Sequence, residues 1–130
     1  MVNLKFALIA KGFSIDKETN TLSIFNQFDR VGAPGVPFVL AEVCIVALFE
    51  REDNTESMPI VLELKAPSKK EEDIAKLVVN FESKKRNRTP IRIQALEITE
   101  FGTYTFRLKW EDKNIEIPLE IVQGGKPPTD

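Results

Sequence analysis

The stretch SKKEEDIAKLVVNFES, residues 68–83, decides between two fold classes. Ser68 and Glu71 have the spacing of a capping box, and Ile74, Leu77, Val78 and Phe81 recur at helical intervals. At period two, however, Ala75, Leu77, Val79 and Phe81 share one side, and Val78-Val79-Asn80-Phe81 carries the β-branched and aromatic residues of an extended chain. The strand is the preferred reading and the helix the alternative. A strand here leaves no strong helical segment anywhere in the sequence.

The neighbouring segments repeat the period-two pattern. In TYTFRLKW, residues 103–110, Tyr104, Phe106, Leu108 and Trp110 alternate with Thr103, Thr105, Arg107 and Lys109. After the turn EDKN, Ile115, Ile117, Leu119 and Ile121 continue it, which predicts a β-hairpin whose Pro118 suits an outer strand. Phe6, Leu8 and Ala10 form another face, as do Leu22, Ile24 and Phe28 after the polar reversal DKETN, and Met58, Ile60, Leu62 and Leu64 before Pro67. Ile91 and Ile93 hand their apolar role to Leu96 and Ile98, a one-residue slip that predicts a β-bulge near Ala95. The expected fold is all-β: an antiparallel β-sandwich of about seven or eight strands, Ig-like or C2-like. Residues 1–122 form its single domain, and QGGKPPTD, residues 123–130, is read as a flexible C-terminal tail.

Composition narrows the chemistry. The 130 residues include no histidine and one cysteine, with a formal net charge of −2. Histidine-based triads, Cys-His catalysis and His-containing zinc sites are therefore excluded. An all-cysteine zinc site fails for want of thiols, and neither a metal nor another cofactor is expected. Carboxylates, lysine and tyrosine remain as acid–base groups, but without histidine a non-enzymatic protein is the favoured reading. Cys44 cannot form an internal disulfide, which points to a cytoplasmic setting. LKFALIA is too short for a membrane helix and lacks the form of a secretory signal, so no membrane association is expected.

Several features compete for a functional role. VPFVLAEVCIVALFE, residues 36–50, is apolar on both strand faces and must be covered twice. Loops or the 68–83 segment would cover its second face in a central strand. Alternatively Phe38, Leu40, Val46 and Leu48 form the face of a homodimer. Cys44 within it reads as a buried hydrophobe with no basic residue adjacent in sequence. Lys84, Lys85, Arg86 and Arg88 in KKRNR make a basic turn able to bind phosphates, yet without an aromatic to stack on a base, and the acidic net charge disfavours nucleic acid. Glu50, Glu52, Asp53 and Glu56, with Asp16 and Glu18 elsewhere, are weighed as calcium ligands and read instead as exposed turns. Trp110 and Tyr104 lie on a core stripe, which removes a sugar-stacking platform from any glycosidase reading of the paired acids. In SIFNQFDRVGAPGVPF, residues 23–38, Gly32, Pro34, Gly35 and Pro37 predict a change of sheet, and Asp29 and Arg30 are adjacent charges of which one is expected to face inward. In EFGTYTF, the Tyr104 phenol is expected to hydrogen-bond backbone groups at a sandwich corner.

FALIAKGFSID, LSIFNQFDRVGAPGVP, the long apolar strand, EFGTYTFRL and IPLEI together resemble a small bacterial family known as a domain of unknown function, family six-nine-four-one. Ala7-Leu8-Ile9-Ala10, Phe28-Asp29-Arg30, Ala33-Pro34, Pro37 and the Gly102, Tyr104, Phe106 series are the most recognisable pieces. The likeness runs from residue 4 to residue 122 and is poor between Ser68 and Thr89. It implies a compact, mostly β, soluble bacterial protein, with no activity, cofactor or catalytic residue to carry over. The expected function is a non-enzymatic binding or accessory module whose partner is another protein or a second copy. The alternative is a carboxylate-based enzyme, or a small-molecule or calcium binder, using loop residues near Asp29 and Arg30.

Overall fold

In the computed structural model, which describes residues 1–124, nine strands follow one another: β1 (Val2–Ile15), β2 (Leu22–Gln27), β3 (Arg30–Ala33), β4 (Phe38–Arg51), β5 (Ser57–Lys65), β6 (Glu71–Asn80), β7 (Arg86–Ile98), β8 (Gly102–Trp110) and β9 (Lys113–Gln123). No helix occurs among the described residues. Two sheets pack together, one in the order β2-β1-β4-β7 and the other in the order β3-β9-β8-β5-β6. Pairing is antiparallel except between β3 and β9, which run parallel, so the second sheet is mixed. Of the expected tail, Gln123 ends β9 and Gly124 N–H donates to Ala33 O at 2.9 Å, while residues 125–130 lie outside the described residues.

The deciding stretch is a strand. β6 pairs antiparallel with β5 from Ser57↔Asn80 to Lys65↔Glu71. Val79 and Phe81 are buried, but Val78, which a helix would turn to the same side as Phe81, is 60% exposed. Ser68 caps nothing; Lys69 takes a left-handed φ of 72° and donates its N–H to Ala66 O at 2.8 Å, closing a tight reversal.

The GAPGVP segment changes sheets as expected. The chain leaves the first sheet after β2, pairs in the second as β3, and returns through residues 34–37 to β4 in the first. Asp29 and Arg30 stand at the start of β3 and both are exposed, so neither faces inward. The ladder satisfies their backbone: Asp29 O accepts from Glu120 N–H at 2.9 Å.

β4 lies between β1 and β7. Val43, Ile45, Ala47 and Phe49 enter the core between the sheets, where the Phe49 and Trp110 rings meet edge to face at 5.6 Å and Trp110 Nε1 donates to Val2 O at 3.0 Å. The opposite face is covered as well, since Cys44 and Val46 have no exposure. The cover is the outer half of the β1–β2 hairpin, not a loop or residues 68–83. Pairing of β1 with β4 stops at Ala10↔Cys44. Beyond it Gly12 lies against the Glu42 carboxylate, the Phe13 ring sits 4.6 Å from the Arg92 guanidinium, and Arg88 Nη1 donates to Asn20 O at 3.2 Å. The hairpin thus folds back over the outer face of β4 and β7.

Two sequence expectations change here. The apolar phase slips in β4 and β7 together: Leu40↔Leu96 and Glu42↔Gln94 keep one register across the slip, so no residue is inserted as in a bulge, and Ala95 absorbs the change with φ 56°. The slip also divides the four residues expected to form a dimer face. Phe38 and Leu40 pack against the core between the sheets, while Val46 is sealed on the other side beneath the hairpin and Leu48 lies half-buried near it.

The corner before β8 behaves as the sequence suggested. Tyr104 Oη accepts backbone N–H bonds from Thr99 at 3.0 Å and Glu100 at 3.3 Å. Gly102 is required beside it: its φ is 125°, and a Cβ there would come within 2.9 Å of Pro67 Cβ. Tyr104→Phe strands those two donors and is expected to cost about 1–3 kcal/mol in urea unfolding. Covering of β4 is tested by a charge on each kind of position. Val46→Asp is expected to lower stability by several kcal/mol or abolish folding, whereas Val39→Asp, at a residue 57% exposed, should stay within about 0.5 kcal/mol of wild type.

Candidate functional site

The turn between β6 and β7 is built by local anchors that leave its charges free to project. Phe81 is 1% exposed and plugs the core edge, with its N–H donating to Glu56 O and its carbonyl accepting from Lys84 N–H, each at 2.9 Å. Glu82 and Ser83 reverse the chain with φ of 54° and 63°. The Glu56 carboxylate accepts from Ser83 N–H at 3.2 Å and from Arg51 Nη1 at 2.6 Å, and Arg51 stacks over the Phe81 ring at 5.7 Å. From this mount Lys84, Lys85, Arg86 and Arg88 all emerge exposed.

Folding of the β1–β2 hairpin over the sheet turns this basic reversal into one wall of a cleft of about 710 Å³. Ile15 and Leu22 of the hairpin and Leu48 of β4 supply an apolar wall, Asn80, Phe81 and Glu82 close one side, and the four cations line the other. Asp16 shapes the hairpin tip, accepting from Glu18 N–H at 2.9 Å and Thr19 N–H at 3.3 Å, so that acid serves a turn. Arg88 is held by Asn20 O, and Arg86 by Glu50, whose Oε2 lies 2.7 Å from Arg86 Nε.

The acidic loop of residues 50–56 adjoins the basic turn. A second cleft of about 520 Å³ is lined by Glu50, Arg51, Glu52, Asp53, Ser83 and Lys85, so Lys85 belongs to both. The hydrogen bond from Arg86, followed by the charges of Lys5 and Lys85, holds the Glu50 carboxyl below its ordinary range. Arg51, and then the Ser83 N–H, do the same for Glu56. Glu50 thus orients Arg86, while Glu56 ties the turn backbone to Arg51. No group of three or more His, Cys, Asp or Glu residues suited to a metal ion occurs among the described residues.

Asp29 and Arg30 line neither cleft. β3 and β6 lie at opposite edges of the five-stranded sheet, so this pair is not drawn into the basic site. Cys44, without a basic neighbour in sequence, does have one across the ladder, where it pairs with Arg92. Burial and then Glu42 push its thiol up, with Arg92 opposing, so the sulfur stays protonated. Lys84, Lys85, Arg86 and Arg88 were visible as a run, as was Leu48. Ile15, Asn20 and Leu22 carried no signal of membership, because they reach the cleft only by the folding back of the hairpin.

The family described as a family of unknown function (DUF6941) matches residues 5–122, nearly all of the chain, and the chain belongs to it. No curated protein matches the sequence.

Acidification tests the mounting of the turn. Glu50 and Glu56 have folded pKa values below their unfolded ones, so their contribution is present above the unfolded glutamate value of about 4.3 and is lost as pH falls through the folded values. The thermal midpoint of wild type should fall on acidification below about pH 4, and the double variant Glu50→Gln/Glu56→Gln should show a shallower fall. Scanning calorimetry across the acid range measures both.

Proposed function

We propose that this member of the DUF6941 family is a non-enzymatic binding module, and that the cleft beside the basic turn takes an acidic segment of another protein. The observation that carries this reading is the convergence of Lys84, Lys85, Arg86 and Arg88 with Ile15, Leu22 and Leu48 around one cleft. A carboxylate there meets charge-assisted donors, while the apolar wall accepts a neighbouring aliphatic side chain. The aromatic residue of the cleft, Phe81, is 1% exposed and offers no face on which a base could stack, which favours protein over nucleic acid. A carboxylate enzyme centred on Asp29 and Arg30 finds less support, since both are exposed and remote from either cleft. The buried Cys44 is in keeping with a cytoplasmic setting.

Of the two sandwich types expected, the strand arrangement supports the immunoglobulin-like one. With β1, β4 and β7 as strands A, B and E, and β5, β8 and β9 as C, F and G, the neighbours follow that fold's order in each sheet. Tyr104 at the start of β8 then occupies the position of its corner tyrosine.

Capture from a lysate of the native host tests the function. Immobilised wild type is expected to retain an acidic partner that elutes as salt rises toward about 0.5 M, where charges are screened beyond a few ångströms. Lys84→Glu/Lys85→Glu, two exposed changes, should lose that partner while keeping its unfolding midpoint. Equal capture by the double variant would sink the reading.

A further inference from the structure

We propose that the acidic segment binds by strand addition to the free edge of β7, its main chain pairing with Arg86 and Arg88 and its acidic side chains recurring at every second position; this rests on the reading of the cleft given above. β7 is the outermost strand of the four-stranded sheet. Arg51 N–H donates to Lys85 O at 2.9 Å, and the register continues as Glu50↔Arg86 and Phe49↔Asn87. In an antiparallel ladder the residues that bond to a given neighbour alternate. Lys85, Asn87 and Thr89 therefore direct their N–H and C=O groups to β4, whereas Arg86 and Arg88, which both line the cleft, direct theirs to the open edge of the sheet.

Three features make this edge selective. Pro90 carries no N–H and ends the available ladder, so an added strand is confined to the start of β7, beside the basic turn. Asn87, between the two edge arginines, is withdrawn from the edge, with its Nδ2 donating to Asn80 O at 2.9 Å. Residues directly opposite one another share a face, so the segment's residues across from Arg86 and Arg88 put their side chains beside the guanidinium groups. Main-chain pairing supplies affinity and the alternating arginines supply the preference for acid, the division of labour usual in strand addition. The ligand class is thus an extended peptide with an acidic residue at alternate positions, the residues between them turning to the opposite face.

The test uses the intact protein and a short peptide of alternating glutamate and valine, with two N-methylated versions, one methylated on the glutamates and the other on the valines. Methylation removes backbone donors without touching charge. In the antiparallel register the glutamates opposite Arg86 and Arg88 turn their N–H groups to β7 and the valines turn theirs to solvent. By calorimetry or fluorescence anisotropy the valine-methylated peptide is expected to bind like the parent, and the glutamate-methylated one about tenfold more weakly or worse for the lost ladder bonds. Equal affinities of the two methylated peptides overturn strand addition while the parent's binding leaves the acidic-segment reading in place. No binding of the parent, or tighter binding of an oligothymidylate probe, overturns both.

Discussion

A strand that is apolar on both faces cannot end a sheet or face water on one side, and β4 imposes that constraint on everything around it. Its inner residues, Val43 to Phe49 in alternation, draw the second sheet over them through contacts such as Phe49 with Trp110. Its outer residues, Cys44 and Val46, need a separate cover, and the hairpin that β1 begins supplies it. β1 meets the need by pairing with β4 as far as Ala10 and then leaving the ladder, so that its outer half crosses the face it has just bordered. A simple two-layer sandwich thereby acquires a local third layer, and the gap at the rim of that layer is the cleft.

Charge has a supporting part. The acidic loop of residues 50–56 and the basic turn of residues 84–88 are neighbours because β4 and β7 are paired, with Glu50 opposite Arg86. Each group of one sign orients the other: Glu56 holds the turn through Ser83 N–H, and Glu50 holds Arg86. Exposed pairs of this kind add little to stability, but they fix where cations point. Lys84 and Lys85 at the crest are left to meet something else, and the chain's small net charge makes that local excess, not a general field, the source of any attraction.

The same logic explains why the Asp29-Arg30 pair and the four expected dimer residues recede. Adjacent charges at the start of an edge strand can both reach solvent when the strand is only four residues long, as β3 is. The dimer residues looked like one face because period two was extended unbroken from Phe38 to Leu48. Ala41 and Ala95 lie where the phase slips in two paired strands at once, which no single-strand pattern displays. Phe38 and Leu40 go to the core, and Val46 to the space beneath the hairpin.

Alternation determined that this chain is all-β and that Tyr104 to Trp110 and Ile115 to Ile121 form a hairpin, while the glycines and prolines of residues 32–37 marked the change of sheets and the charges of Lys84 to Arg88 marked a basic run at a reversal, of which Arg86 and Arg88 already belong to β7; all of these depend on residues close in sequence. Even residues 68–83 yielded to the same test, since Val79 and Phe81 keep period two to the end of β6 and beyond. Tertiary structure decided the rest: the parallel pairing of β3 with β9, the shared slip at Ala41 and Ala95, the folding back of the hairpin, and hence the meeting of Ile15, Asn20 and Leu22 with Leu48 and Arg88. Those residues are up to 73 positions apart, counting from Ile15 to Arg88. What joins them is the demand of Cys44 and Val46 to be covered, a demand written plainly in the sequence of β4, although which segment would answer it depended on where β1 could reach once paired.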